Sequence, residues 1–558
     1  MTELLVVTVT ALLAIAAATV VAPRLGVAAP LMLVAVGVGA SFLPVFASAR
    51  VEPEWILEGV LPPLLYSAAV SMPATSFRRE FGAISGLSVV LVVLSSLVLG
   101  LFFMVAIPDL GFAWGAALGA VVSPTDAVAT SILKQQPSVS RRVVAMLDGE
   151  SLLNDASALV LLRTAIVATA ASFSFWGVVG RFSYSVVVAV VVGFAVGRLN
   201  LLVRRRVTDP AVNTVISFTV PFLAAVPAEL LEASGLVAAV VAGLVTGIRA
   251  PRELSPQNRL SDTQNWRMAE LVLEGAVFLT MGLQIKAIVT SVEDDHAGVG
   301  PAVLVAAGAL VLTVLVRAAY VAPLLGVLAR RSQRSERLQE RLEEMQSTMQ
   351  TTAGKQKTLE ELNARRGHRV TERDLERFAV RITRGLADLD YFRRQPLGWR
   401  EGTVVVWAGM RGAVTVAAAQ TLPEDTPQRS VLVLVAFVVA ALSLAVQGGT
   451  IGPLVGLLRT PADPAAAAEE ADAERTRLFA LLRSASEAIP EPDVPAGASR
   501  QERFVAAGVH RRRVIAAQRA ALLDARDDGT FDADVLASAL ATLDADEIAM
   551  SMRGELAS

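Results

Sequence analysis

The sequence predicts an all-α polytopic membrane protein with about thirteen transmembrane helices, a cytoplasmic helical insert and a cytoplasmic helical tail. Three observations carry that expectation. Of 558 residues, 54% are hydrophobic and only 18% charged, with a mean hydropathy of +0.54; a soluble domain holds about a quarter of its residues as charges. Apolar runs near the length that spans a hydrocarbon core, about 20 residues as a helix, recur along the chain. Basic residues gather in alternate loops. The formal charge of −2 excludes a strongly basic nucleic-acid binder. There is no cysteine, so disulfides, thiolate catalysis and Cys-ligated metal clusters are excluded. His296, His368 and His510 all lie outside the apolar runs, so no histidine-ligated metal is expected in the membrane, and no cofactor is expected.

The thirteen runs are 4–22, 27–46, 55–72, 83–107, 113–134, 142–170, 184–203, 211–227, 234–249, 267–291, 300–328, 403–421 and 430–458. The first follows Met1-Thr2-Glu3, which supplies no basic n-region, and reads as a helix rather than a signal peptide. The eighth contains two prolines and the ninth is short; the charge of their flanking loops supports both. One set of alternate loops carries Arg24, Arg78, Arg79, Lys134, Arg141, Arg142, Arg204, Arg205, Arg206, Arg249, Arg252 and Arg259, and the other only Arg50, Arg181 and Arg429. That asymmetry makes the first set cytoplasmic, with the N-terminus outside and the C-terminus inside. A missed crossing would have spoiled the alternation.

Two hydrophilic blocks separate from the membrane domain of residues 1–329 and 401–458. The insert at 330–400 holds 17 basic and 11 acidic residues, and Leu338, Leu342, Met345 and Met349 make a short heptad seam that suggests a helical hairpin. The tail at 459–558 holds 12 basic and 18 acidic residues, and a linker rich in proline near Pro490, Pro492 and Pro495 precedes a helical piece from about Gln501. The stretch from Asp524 to Val535 superficially resembles a calcium loop around Gly529, but Arg526 and Val535 stand where ligands are needed.

Ionisable groups inside an apolar span are expensive and point to function. The fifth span carries Ser123-Pro124-Thr125-Asp126. Proline breaks the helical bonding there, and freed carbonyls beside a hydroxyl and a carboxylate offer oxygen ligands to a small hard cation. The sixth carries Asp148-Gly149-Glu150-Ser151-Leu152-Leu153-Asn154-Asp155. Ser151 and Asp155 are four apart and share a face, as do Glu150 and Asn154, about 100° around the helix. The twelfth reads Gly409-Met410-Arg411-Gly412, a second broken helix, seven spans after the first. Paired interruptions at corresponding positions mark the binding site of transporters built from inverted repeats, here two repeats of six spans. Arg317, deep in the eleventh span, needs a buried partner, and Glu150 is the best candidate.

These motifs resemble the monovalent cation:proton antiporter family, which includes bacterial sodium/proton antiporters and animal sodium/proton exchangers. Leu61-Pro62-Pro63-Leu64-Leu65-Tyr66, the two central motifs of spans five and six, Phe278-Leu279-Thr280-Met281-Gly282-Leu283, Gly409-Met410-Arg411-Gly412 and Gln447-Gly448-Gly449-Thr450 follow the family's order over residues 4–458. The resemblance implies a homodimer in a bacterial cytoplasmic membrane, each protomer with a dimerisation domain and a moving core. It implies that Asp155 binds cation and proton in turn, completed by Ser151, Thr125 and Asp126. It further implies that Asn154 stabilises the broken fifth helix and that Glu150 pairs with Arg317. The Asn154-Asp155 pair resembles the electroneutral branch. Ser67 stands where many relatives carry an acid just after the Pro-Pro motif, which bears on the ligand set.

The expected activity is therefore exchange of sodium, or lithium or potassium, for protons by a secondary transporter that is not an enzyme, serving sodium transport and pH homeostasis. Burial favours the neutral form of a carboxyl and a bound cation the charged form, so one carboxylate holds either ion but not both. Two other readings compete. Asp126 and Asp155 could share a proton as an intramembrane aspartyl protease, although the Gly-x-Gly-Asp signature is absent. A passive cation channel would need a filter, which single broken helices suit less well.

Overall fold

The computed structural model of the chain describes residues 2–43, 52–136, 138–170, 175–296, 298–334, 336–350, 372–458, 464–493, 495, 497 and 499–555. Among the described residues it is entirely helical, with no strand. The membrane part runs α1 (Thr2–Leu25), α2 (Ala29–Ser41), α3 (Trp55–Ser71), α4 (Ala74–Ala106), α5 (Phe112–Val122), α6 (Val128–Lys134), α7 (Arg141–Ala170), α8 (Phe175–Arg204), α9 (Pro210–Leu230), α10 (Gly235–Glu253), α11 (Pro256–Leu283), α12 (Ile285–Asp294) and α13 (Val299–Arg334). After the insert come α16 (Trp399–Trp407), α17 (Ala413–Gln420) and α18 (Arg429–Leu458).

Helix occurs in every one of the thirteen apolar runs, but only nine helices among the described residues are long and apolar enough to cross a membrane. The shortfall has a physical pattern. Runs five and twelve are each split by non-helical residues, and α2 and α3 are short helices. Pro221 and Pro227 sit inside a continuous α9, whose first turn is capped by Asp209 through the Ala211 and Val212 amides. Large apolar side chains such as Leu13, Phe194, Leu230, Leu304 and Leu315 stand on the outside, as a lipid-facing surface requires and a water-facing one does not.

Chain contacts divide the protein into two compact units. The first comprises residues 1–254, 258–325 and 399–459. Its main core joins α4, α5, α13, α17 and α18 through Leu99, Phe103, Leu118, Ala306, Val416 and Phe437, among others. Small residues let these backbones approach closely: a Cβ on Gly37 of α2 would stand 2.9 Å from the Cα of Gly282 on α11. A second core packs Leu65 and Ala69 of α3 with Leu152 and Ala156 of α7. A buried polar cluster ties α8 to its neighbours: Arg204 Nη2 pairs with Asp262 at 2.9 Å, and its Nε donates to Asn213 at 2.8 Å.

The second unit comprises residues 255–257, 326–398 and 460–558. Within it, α14 (Glu336–Gln350) and α15 (Glu372–Arg394) pack Met349 and Leu342 against Leu375, Phe378, Ile382 and Leu386. The heptad seam is therefore only partly used: Met345 is exposed, and the Leu338 side chain lies outside the described residues. Helices α19 (Pro464–Glu487), α20 (Arg500–Asp528) and α21 (Ala533–Glu555) enclose Leu478, Ile515, Leu522, Leu536 and Leu543. Insert and tail meet where Arg384 Nε lies 3.1 Å from Asp528 Oδ1. Helix α20 opens with a reciprocal capping box between Ser499 and Glu502 and ends at Gly529 with φ 71°. That left-handed residue is a helix stop.

Candidate functional site

Two helix interruptions meet in the first unit. Residues 123–127 separate α5 from α6, and residues 408–412 separate α16 from α17. The two extended stretches are joined by one backbone bond, Asp126 N–H to Met410 C=O at 2.7 Å. Each half-helix leaves unpaired groups at the break, and the chain satisfies them with side chains of matching charge.

The C-termini of α5 and α16 present carbonyls and the negative ends of their dipoles. Arg411 takes three carbonyls at these ends: Nε donates to Val122 O at 2.9 Å, Nη2 to Ser123 O at 3.3 Å, and Nη1 to Gly409 O. Its own amide donates to Ser443 Oγ at 2.9 Å, Ser443 bonds Gln447, and Gln447 Nε2 reaches Trp407 O at 3.1 Å. Ser443 and Gln447 flank a π-helical turn at Leu444–Gly448. The N-termini of α6 and α17 have the opposite need. Asp126 Oδ1 accepts the Val128 amide at 3.0 Å. Its carboxylate also lies against Gly412, the residue that caps α17, so closely that a Cβ there would collide with it.

Helix α7 supplies the other half of the site. Glu150, 1% exposed, is held by both Arg317 terminal nitrogens, Nη1 on Oε1 and Nη2 on Oε2 at 2.7 Å. Arg317 Nε donates to Val405 O at 2.9 Å, and Arg317 packs where a Cβ on Gly409 would stand 2.7 Å from its Cδ and Nε. Thr125 Oγ1 donates to Glu150 Oε1 at 3.0 Å. Asn154 Nδ2 donates to Thr125 O at 2.9 Å and to Thr125 Oγ1 at 2.7 Å. The pair Glu150 and Asn154, four residues apart, thus closes on one residue of the helix break. Ser88 Oγ, in a π-helical turn of α4, donates to Glu150 O at 3.1 Å.

Asp155 is different. It lines a small chamber of about 10 Å³ with Pro124, Ala158, Leu159, Val414 and Ala418. Its carboxylate makes no hydrogen bond or ion pair among the described residues, and Asp126 is the charged group it senses. Ser151 Oγ is turned to Asp148 O at 3.0 Å. Ser67 is buried on α3, between Leu65 and Ala69, which share an apolar cluster with Leu152 and Ala156 of α7. The geometry therefore brings Thr125, Glu150, Asn154 and Arg317 into one bonded network, sets the Asp126 carboxylate against Gly412, and places Arg411 on the carbonyls of Val122, Ser123 and Gly409. Asp155, Ser151 and Ser67 stay outside these groups.

Three further features lie outside these networks. Arg142 Nε pairs with buried Glu80 at 2.6 Å, and Lys134 with Asp148 at 2.9 Å, so the start of α7 is pinned to α4 and to α6. Glu274 of α11 is exposed within an apolar helix and interacts electrostatically with Asp126 and Glu270. An acid inside the run 267–291 was the available signal.

The profile of the transmembrane sodium/hydrogen exchanger matches residues 8–343 and 377–456. An uncharacterised Na(+)/H(+) exchanger of Mycobacterium tuberculosis is 29% identical over 500 residues, which cover 87% of this chain and 80% of that protein. The low-affinity Na(+)/H(+) antiporter NhaS1 of Synechocystis is 26% identical over 426 residues, 75% of this chain and 67% of its own length. Among solved structures, the sodium proton antiporter MjNhaP1 from Methanocaldococcus jannaschii at pH 8 superimposes with a TM-score of 0.54 at 15% identity, over 82% of this chain and 99% of that one. At that identity the likeness is one of fold.

Proposed function

Because this chain belongs to the sodium/hydrogen exchanger family, we propose that it exchanges one sodium ion for one proton by competition of the two for Asp155. It is a membrane transporter of the cation/proton exchange class and not an enzyme. The observation that carries the finer reading is the contrast between two carboxylates on one helix. Glu150 is committed to Arg317, while Asp155 faces a chamber with no bonded partner among the described residues. A carboxylate without a fixed counter-ion is the one free to take either a proton or a cation.

The charge count supports one-for-one exchange. Glu150 is charge-paired with Arg317 and stands outside the count, and Asp155 is the charge neutralised on each crossing by either ion. In this reading Asp155 and Ser151 coordinate the cation together with Asp126 and the Thr125 carbonyl or hydroxyl. Asn154, Glu150, Arg317 and Arg411 hold the two broken helices at the distance the ligands need, and Ser67 leaves the α3 side of the site without an acid. Lithium and potassium are the competing cations. The arginine-rich loops orient the chain in a bacterial cytoplasmic membrane with thirteen crossings, N-terminus outside and C-terminus inside, as a homodimer.

Asp155→Asn in proteoliposomes tests the reading: sodium-driven pH change is abolished while the protein stays folded. Exchange undiminished in that variant overturns the role of Asp155. A rate that follows an imposed membrane potential, in the manner of net charge movement, overturns the one-for-one count.

A further inference from the structure

A polar cluster away from the exchange site is buried in the first unit, where α3, α8, α10 and α11 meet. Arg204 is 0% exposed and Asn200 6%, and their spacing of four puts them on one face of α8. Arg204 commits Nε to Asn213 and sets Nη2 against Asp262 Oδ2 as an ion pair. Thr246 of α10 orients the Asn200 amide. Its hydroxyl donates to Ala242 O at 2.9 Å, so its oxygen is left to accept from Asn200 Nδ2 at 3.2 Å. Tyr66 of α3 donates to the same oxygen at 3.4 Å. Asn200 therefore turns its Oδ1, an acceptor, away from Thr246. Tyr66 also interacts electrostatically with Arg204 and Asp262, so these groups surround one phenol.

Three atoms of the cluster stand out. Arg204 Nη1, Asn200 Oδ1 and Asp262 Oδ1 are enclosed, and none has a hydrogen-bond partner among the described residues. Leaving buried donors and acceptors unmet is costly. One partner that meets all three must donate twice and accept once. An anion cannot donate to two oxygens, one of them on a carboxylate. A metal cation cannot accept from a guanidinium nitrogen. A water does both, and buried waters typically make about three hydrogen bonds.

We propose that Asn200, Arg204 and Asp262 form a permanent binding site for one water molecule, which accepts from Arg204 Nη1 and donates to Asn200 Oδ1 and Asp262 Oδ1. The water completes the bonding of an ion pair held inside an apolar domain, where an incompletely bonded pair is unfavourable. The site also has a mechanical role. Tyr66 packs in one apolar cluster with α8, α9 and α10, while its neighbours Leu65 and Ala69 pack on α7. The hydrated cluster thus holds the helix on which the helix of Asp155 rests. The assignment does not depend on which ion Asp155 takes.

Two measurements on the full chain test it. In a density map that resolves ordered waters, one peak is expected within hydrogen-bond distance of all three atoms. No peak there, or Arg204 Nη1 bonded directly to Asn200 Oδ1, overturns the site. A peak that strengthens when sodium is exchanged for rubidium, or chloride for bromide, is an ion and overturns the neutral ligand. Radiolytic footprinting reads the same site chemically, because ionising a bound water releases a hydroxyl radical beside Tyr66. Tyr66, 0% exposed, is expected to be oxidised, while Phe103, equally enclosed but in an apolar core, is not. Equal protection of the two rings overturns the site. Asn200→Leu removes one acceptor, and the oxidation of Tyr66 is expected to be lost with Phe103 still protected. Undiminished oxidation of Tyr66 with Phe103 protected overturns the assignment of Asn200. If Phe103 is oxidised as well, the variant has unfolded, and the contrast of the two rings in the native chain decides.

Discussion

Breaking the Glu150–Arg317 pair from one side is expected to harm the protein more than removing it altogether. Both groups are almost wholly enclosed, at 1% and 2% exposure, and two nitrogens meet two oxygens. In Glu150→Gln the guanidinium stays buried without a counter-charge, with one amide oxygen and Val405 O as acceptors; in Arg317→Met the carboxylate keeps only the Thr125 hydroxyl. Loss of one partner from a buried pair costs about 3–5 kcal/mol, whereas replacing both by neutral groups is often close to neutral. The double variant still leaves an amide imperfectly paired, which costs about 1–3 kcal/mol. The two single effects therefore overshoot the double by at least about 3 kcal/mol, at or above the upper end for residues in contact. Reversible unfolding of purified protein in mixed SDS micelles, followed by the fluorescence of its six tryptophans, measures all three variants. Effects that add within about 0.5 kcal/mol would refute the coupling. The folded double variant should still exchange cation for proton, since the pair lies outside the transported charge; a folded but inactive double variant would place the pair within the chemistry.

Gly412→Ala puts a Cβ into the Asp126 carboxylate, and the overpacking should destabilise the crossing by about 1–3 kcal/mol and sharply reduce cation-driven dequenching; wild-type activity would show that Asp126 can retreat freely. Arg411→Lys replaces a planar fork on three carbonyls with a point charge on a flexible stem, so it should lose most transport while remaining charged, and full activity would deny the fork its role. In the tail, the Ser499 amide and hydroxyl hold Glu502 below its ordinary value of 4.5. Because the folded value is the lower one, the cap stabilises α20 above the ordinary glutamate range and is lost as pH falls through the folded value. Hydrogen exchange should show the first turn of α20 losing protection only below about pH 4.5, and protection that is flat across that range would contradict the cap.

Much of the site was visible in the sequence because membrane burial makes every polar group conspicuous. Asp126, Glu150, Asp155, Arg317 and Arg411 stood out against apolar neighbours, and helical spacing alone paired Glu150 with Asn154 and Ser151 with Asp155. The meeting of spans five and twelve followed from their separation by seven spans. Its atomic content did not: the Asp126 amide on Met410 O joins segments remote in sequence, and no local pattern encodes it. Gln447 stood in a family-like motif with nothing to name its partner, and Ser443 was hidden because a serine in an apolar helix looks like ordinary packing until the Arg411 amide is seen to need an acceptor. The crossing lengths misled at four runs because two contain breaks and two are short, and length measures only unbroken helix. Glu274 shows the opposite failure, a legible acid in the run 267–291 that hydropathy averaging conceals.

The division of labour on α7 follows from the helical repeat. Residues 150 and 155 are five apart, so their side chains leave the helix about 140° from one another. One is delivered into the protein, where Arg317, Thr125 and the Ser88 side of α4 surround it; the other is delivered to the chamber. A spacing of four would have put both carboxylates on one face, where they would compete for the same arginine and repel one another. A neutral residue at 154 is required by the same geometry. It shares the face of Glu150 and reaches Thr125, so a second carboxylate there would oppose Glu150 across Thr125, whereas an amide donates to both the carbonyl and the hydroxyl of the broken strand. The network that fixes α5 and α6 is thereby kept neutral and static on one face of α7, and the ionisable group is left alone on the other. Asn154→Asp is the substitution that crosses this line. It replaces two donated bonds with a charge in a site already holding one, and it should loosen the break at Thr125 before it touches Asp155. Faster hydrogen exchange at residues 123–127 with an unchanged chamber face of α7 is the expected signature, and an undisturbed break would show that the amide is not what holds it.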